Sequence, residues 1–168
     1  MNLYVGKSGQ AAVMAEFLIR GYNVATPEVD RGDDLFVVQD DNGALWRIQV
    51  ESANAREKQG GYSALFKVPV TQLKSPLTPD VVYVFAVRWR DRWSDFLVVP
   101  RQELYKLHDT KGVGSVAGDS ILFSLAFVED EVTCDKASFQ RFRNRWEQWP
   151  VFHHDRTEPD TTTLPTSL

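Results

Sequence analysis

Two stretches decide how this chain is read: GKSGQAAVMAEFLIRGYNVATPEVDRGDDLFVV over residues 6–38 and WRIQVES over residues 46–52. In the first, Gln10, Val13, Met14, Phe17, Leu18 and Gly21 recur at i, i+3, i+4 and i+7, which is the spacing of a one-sided helix. Ser8 is placed to cap that helix, and Gly21 to end it, because glycine accepts the left-handed conformation at a helix C-terminus. The acidic stretch 26–34 then reads as a loop and LFVVQ as a strand. Asp41-Asn42-Gly43 has the chemistry of a tight hairpin turn. The return strand alternates, with Trp46, Ile48 and Val50 on one face and Arg47, Gln49 and Glu51 on the other.

Outward from this core the pattern stays mixed. Residues 53–61 are polar and glycine-ended and read as an exposed loop. YSALFKV reads as a strand, residues 69–74 as one short helical turn, and Pro76 with Pro79 as a break. VVYVFAVR and DFLVV are strands joined at a polar turn. Pro100 opens a helix over RQELYKLHD. Residues 110–119 read as a loop, SILFSLAFV as a late strand, and residues 135–149 as a helix with Asp135 at its cap. The expected fold is therefore a mixed α/β (α+β) domain over residues 1–152, not a regular parallel βαβ series. Residues 153–168 have the composition of a disordered tail.

Composition narrows the function classes. The chain has 168 residues, 43% apolar and 25% charged, enough to bury a real core. No apolar run is long enough to span a bilayer, and the start MNLYVGKSGQ lacks the layout of a secretory signal. Cys134 is the only cysteine, which rules out an intrachain disulfide and fits a reducing, cytoplasmic setting. The net charge of −4 argues against tight, nonspecific DNA binding but leaves room for a local basic surface or a metal-dependent contact.

The sheet end where Asp34, Gln49 and Glu51 gather is the place for chemistry. Hard divalent ions take oxygen ligands, often one or two carboxylates completed by water and substrate phosphate. The two stretches together resemble the core of the PD-(D/E)XK nucleases, particularly the Holliday-junction-resolvase-like and small homing-endonuclease-like branches. The resemblance covers about the first third of the chain. It implies a restriction-endonuclease-like central mixed sheet flanked by helices, Mg²⁺- or Mn²⁺-dependent cleavage of DNA, and a possible homodimer. Matched onto this sequence, the motif aspartate falls on Asp34, with Asp33 in place of the proline. The first position of the D/E-x-K element falls on Gln49, its lysine on Glu51, and the helix acid on Gln10. Glu16, the nearest acid to Gln10, lies about 240° around the helix from it.

Two expected acids are thus amides, and the expected lysine is an acid. Asp34 and Glu51 remain as metal ligands, with Gln49 and Gln10 as the other candidate site residues. Lys67, on a neighbouring strand, is a candidate replacement for the lysine in space. Against this stands the plainer reading of a polar cluster at a sheet end that keeps the fold without the catalysis, as a DNA- or protein-binding module. A third reading is an unrelated α/β interaction protein with a chance motif. Asp30 and Asp33 read as solvated turn residues. His153 and His154 beside Asp155 lie in the tail, and Cys134 reads as a structural thiol. Trp89, Trp93, Trp146 and Trp149 suit core packing better than base stacking. Lys106 and Lys111 with the arginines of RFRNRW suit a solvated helix face better than a phosphate-binding one.

Overall fold

The structure is a computed structural model that describes residues 3–29 and 32–146. Asp30, the last three residues of the expected C-terminal helix with Trp149, and the tail with His153, His154 and Asp155 lie outside the described residues. In chain order the elements are α1 (Leu3–Leu18), β1 (Asn23–Ala25), β2 (Leu35–Gln39), β3 (Ala44–Asn54), β4 (Arg56–Lys58), β5 (Gly61–Pro69), α2 (Val70–Lys74) and β6 (Val81–Trp89). There follow β7 (Arg92–Pro100), α3 (Arg101–Lys111), β8 (Ser115–Ala117), β9 (Ser120–Val128), β10 (Glu131–Cys134) and β11 (Ala137–Ser138). A 3-10 turn, Gln140–Phe142, comes last.

The first sheet has the strand order β1-β2-β3-β6-β7. It is mixed, because β3 and β6 run parallel while the other neighbours run antiparallel. The second sheet, β11-β10-β9-β5-β4 with β8 on β9, is antiparallel throughout. The reason the two sheets associate is written in β6. Every residue from Val81 to Val87 is buried, so this strand has no solvent face. Its even residues Val82, Val84 and Ala86 join Leu35, Val37, Trp46 and Ile48 beneath Val13 and Phe17 of α1. Its odd residues Val81, Tyr83, Phe85 and Val87 join Phe66, Phe123 and Leu125 of the second sheet, with Leu73, Leu104 and Leu107 from α2 and α3. A continuous apolar run is what a strand covered on both faces requires. The mixed α+β architecture expected from sequence is the one observed, with α1 over one face of the central sheet and the second sheet, α2 and α3 against the other.

Four local expectations are overturned. The helix α1 starts at Leu3, so Ser8 is no cap; it lies inside the helix and its hydroxyl donates to the Val5 carbonyl at 3.3 Å. The buried stripe of α1 is Val5, Gly9, Val13 and Phe17, and Gly9 has a packing reason: a Cβ there would lie 2.0 Å from Ser52 Oγ. Residues 53–61 are not an open loop, because β3 runs on to Asn54 and the chain continues into β4, which pairs with β5 at the edge of the second sheet and whose residues are all exposed. Charged side chains on a short edge strand guard it against pairing with other chains, and from sequence alone that polarity reads as loop. Residues 110–119 include β8, and Asp135 is no helix cap. It sits at φ 53° in the turn between β10 and β11, and the segment beyond runs into the 3-10 turn. The aromatic spacing that suggested one helix face serves two cores instead: Phe139 and Phe142 enter one, Trp146 the other.

Trp146 closes the first core edge-on against Phe17, with ring centroids 5.2 Å apart, and against Phe96 at 5.4 Å. Its approach is fixed by Asn144, whose N–H donates to the Phe96 carbonyl at 2.7 Å and whose Oδ1 accepts from the Phe96 N–H at 2.9 Å. Among the described residues no helix is long and apolar enough to cross a membrane.

Candidate functional site

Where β2 begins, β3 has already passed it. Leu35 pairs with Ile48, and one step further the Asp34 N–H donates to the Ile48 carbonyl at 2.9 Å. This sets Asp34 opposite Gln49. Alternation along β3 then puts Glu51 on the same face as Gln49. Parallel pairing sets Gln49 beside Tyr83 and Glu51 beside Phe85. The face concerned is the one turned toward the second sheet. Beyond this point β3 has no β2 neighbour, while β6 stays paired with it as far as Asn54.

Each side chain in this corner is held by a local contact. Asp34 accepts the Val50 N–H through Oδ2 at 2.8 Å, which pins the carboxylate across the end of the ladder. Gln10 reaches from α1 and donates through Nε2 to the Asp34 carbonyl at 2.8 Å, while its own oxygen accepts from Lys7 Nζ at 3.1 Å. Gln10 therefore fixes the backbone at Asp34. Gln49 Oε1 accepts from Gln72 Nε2 at 3.3 Å, and the same Gln72 nitrogen donates to the Gly32 carbonyl at 2.7 Å. Asp33 is not a solvated turn residue: it is buried, and both its oxygens accept from Arg47 Nε at 3.1 Å. Paired in this way, Asp33 braces the loop and leaves Asp34 to face the corner.

Glu51 is the unusual member. It is 7% exposed, and its carboxyl is pushed up to about 8, first by burial and then by the neighbouring Asp34 carboxylate. Tyr83, fully buried beside it, is raised above the ordinary tyrosine range by burial and then by Glu51. Its Oη finds no hydrogen-bond partner among the described residues, and neither does Ser52 Oγ. Buried polar atoms of this kind cost free energy unless something satisfies them. A cleft of about 700 Å³ opens from the corner, lined among others by Val5, Glu51, Ser52, Asn54, Arg56 and Lys67. Lys67 shares this cleft with Glu51, but its side chain is 62% exposed and its ammonium lies 3.9 Å from Asp119.

As a cation site the corner offers the Asp34 carboxylate, the Glu51 carboxyl that burial and Asp34 together hold raised, an amide oxygen on Gln49 and an orphaned phenol. That is a donor set a hard divalent ion fits when water and phosphate complete its shell. It is not a closed protein cage: among the described residues no three His, Cys, Asp or Glu side chains come together in a group able to hold a metal. Sequence reasoning missed Gln72, Tyr83 and the Gly9–Ser52 contact. Tyr83 alone had a visible signal, as the one polar-tipped side chain in an otherwise apolar run that is too continuous for an exposed strand.

The architecture is similar to that of a bacterial homing endonuclease, I-Ssp6803I, with a TM-score of 0.55 over 88% of this chain and 89% of that one. The two sequences are 19% identical, so the likeness is one of fold. No protein-family model and no curated protein matches the sequence.

Proposed function

We propose that this chain is a nuclease-fold protein of the PD-(D/E)XK kind that acts on DNA and in which divalent-metal-dependent phosphodiester hydrolysis is much weakened. The observation that carries the reading is the buried Glu51 carboxyl beside Asp34, at the sheet end where the resemblance puts the hydrolytic site. Asp34 and Glu51 would hold one Mg²⁺ or Mn²⁺, Gln49 would position the ion or its water, and Gln10 would act through the Asp34 backbone. A bound ion of this kind supplies an activated water and charge stabilisation at the phosphodiester. The chain's own residues supply less than a full nuclease needs. An acid stands where the resemblance puts a lysine, so no ammonium in that place orients the nucleophile or stabilises developing negative charge. Lys67 is exposed and turned to Asp119.

A second reading, a module that keeps the fold for binding DNA or a protein without cleavage, is favoured by that same acid. Two measurements separate them. Thermal melting with and without Mn²⁺ is run on the wild type and on Asp34→Ala, beside cleavage of linear and branched DNA. The proposal expects a Mn²⁺-dependent rise in Tm that disappears in the variant, with slow cleavage. A rise without cleavage selects the binding module, and no rise removes the metal site from the account.

A further inference from the structure

Gln72, on α2, joins three segments that lie far apart in the chain. Its Nε2 donates to the Gly32 carbonyl at 2.7 Å and to Gln49 Oε1 at 3.3 Å. The loop is shaped to receive it. Gly32 sits at φ 94°, and a Cβ there would lie 3.0 Å from Gln72 Nε2, so a glycine lets the amide come up to the backbone. The short helix that carries Gln72 is itself held firmly. The Val70 N–H donates to the Asp119 carbonyl at 2.9 Å, and Leu73 is fully buried. The buried Arg101, paired with Asp80, donates through Nη1 to the Leu73 carbonyl at 2.7 Å. Thr71 and Lys74 are exposed, whereas Gln72 is half-buried and turned to the corner.

The direction of these two bonds follows from a group that cannot turn. A primary amide has a donor end and an acceptor end, and rotation about its last bond exchanges them. The Gly32 carbonyl belongs to the backbone and only accepts, so the end of Gln72 that faces it must be the NH₂. That NH₂ has a second hydrogen, and the side chain that takes it must offer oxygen. Gln49 is thereby held with Oε1 toward Gln72. Unrestrained, the Gln49 amide would favour the opposite choice. Asp34 stands opposite it at the end of the ladder, and an ionised carboxylate attracts an N–H donor. An NH₂ turned on the acids would set hydrogens where a cation needs oxygen. An amide oxygen has two lone pairs, so Oε1 can accept from Gln72 and still offer the other to an ion or its water. Partners that orient a ligand from outside the site in this way tune its affinity for metal. We infer that Gln72 is a positioning residue of the candidate site, which fixes the Gln49 amide through a relay that starts at the Gly32 carbonyl. The inference rests on the metal site of the nuclease-fold reading and adds what decides the orientation of Gln49.

The test is a double-variant cycle on the full chain, with Mn²⁺ binding followed by the loss of the free-ion electron paramagnetic resonance signal. Wild type, Gln72→Met, Gln49→Met and the two substitutions together are compared. Methionine keeps the length of glutamine and removes its amide, and each variant's melting curve checks its fold. Gln72→Met is expected to bind Mn²⁺ at least ~10-fold more weakly than the wild type. The double variant is expected to bind as Gln49→Met does, because one residue acts through the other. Losses that add in the double variant would mean that Gln72 acts by bracing the loop at Gly32 and not through Gln49, which overturns the relay. Gln72→Met that binds Mn²⁺ as tightly as the wild type also overturns it and leaves the metal site standing. Two readouts need no metal. The nitrogen-15 side-chain signal of Gln49, identified by its absence from Gln49→Met, should move in Gln72→Met. In the wild type alone, the Gln72 NH₂ protons should exchange with solvent more slowly than those of the exposed Gln102. An unmoved Gln49 signal, or Gln72 exchange as fast as that of Gln102, overturns the relay. If the wild type binds no Mn²⁺, the metal site falls and the positioning role falls with it.

Discussion

Replacing Glu51 by glutamine should change how stability depends on pH more than it changes stability itself. In the unfolded chain this carboxyl titrates near 4.5, and in the fold it is raised to about 8. Between those values the native state holds a proton that the unfolded state has released. Stability therefore falls as pH rises, by about 1.4 kcal/mol per pH unit, and levels off once the native carboxyl ionises. Over the whole interval this amounts to about 5 kcal/mol for a carboxyl as deeply buried as this one. Glu51→Gln keeps the shape of the protonated acid and removes the titration. Urea unfolding of both proteins at pH 5, 6.5, 8 and 9 is the assay. The two should be nearly equal at pH 5, and the variant should gain steadily on the wild type up to about pH 8 and hold its lead at pH 9. Under the proposed metal site, saturating Mn²⁺ should flatten the wild-type trend, because the ion would take the place of the proton. A difference between the two proteins that stays constant from pH 5 to 9 would refute the argument, since it would mean Glu51 is ionised in the fold throughout.

Three other perturbations test the packing around this corner and beyond it. Gly9→Ala sets a methyl 2.0 Å from Ser52 Oγ and 2.9 Å from Trp93 Cη2; overpacking outweighs the gain in helix propensity, for a net loss of roughly 1–2 kcal/mol by urea unfolding. Adding Ser52→Gly should recover much of that loss, and a stabilising Gly9→Ala would mean the helix sits farther from β3. Asp80→Ala should cost about 3–5 kcal/mol, because it strands Arg101, which is buried and bonded to Asp80 at 2.6 and 2.8 Å; a loss below 1 kcal/mol would contradict this. The Cys134 thiol is buried and pushed up to about 12, first by burial and then by Asp135, so a thiol reagent at pH 8 should label it only after denaturation; rapid labelling of the native protein would count against the burial.

What the sequence made legible follows from how local the signals are. The hairpin around Asn42-Gly43 and the strand pair VVYVFAVR and DFLVV were readable because turn chemistry and apolar runs act over a few residues. The meeting of Asp34, Gln49 and Glu51 was readable because β2 and β3 are joined by that same short turn, which fixes their register. The Asp33–Arg47 pair was hidden, since two adjacent aspartates look alike until one of them meets an arginine across the hairpin. Gln72 was hidden for a related reason: it arrives from α2 by way of the second sheet, and no local pattern announces a long-range tether. The C-terminal helix expected over residues 135–149 failed because spacing of aromatics says that side chains are buried but not that they share a core. Tertiary pairing with the edge of β7, through Asn144 and the Leu97–Arg143 bridge, decided that segment instead.

The strand β6, covered on both sides, has a consequence for how the molecule comes apart. Its side chains are divided between the two cores, and its backbone holds β3 on one side and β7 on the other. Neither core can open by itself without stripping one face of that strand. Local openings should therefore be confined to the periphery, such as β1, β4 and β8, and the centre should melt as one cooperative unit. Amide hydrogens from Val82 to Val87 would then exchange only when the whole chain unfolds, and their exchange rates would report its global stability.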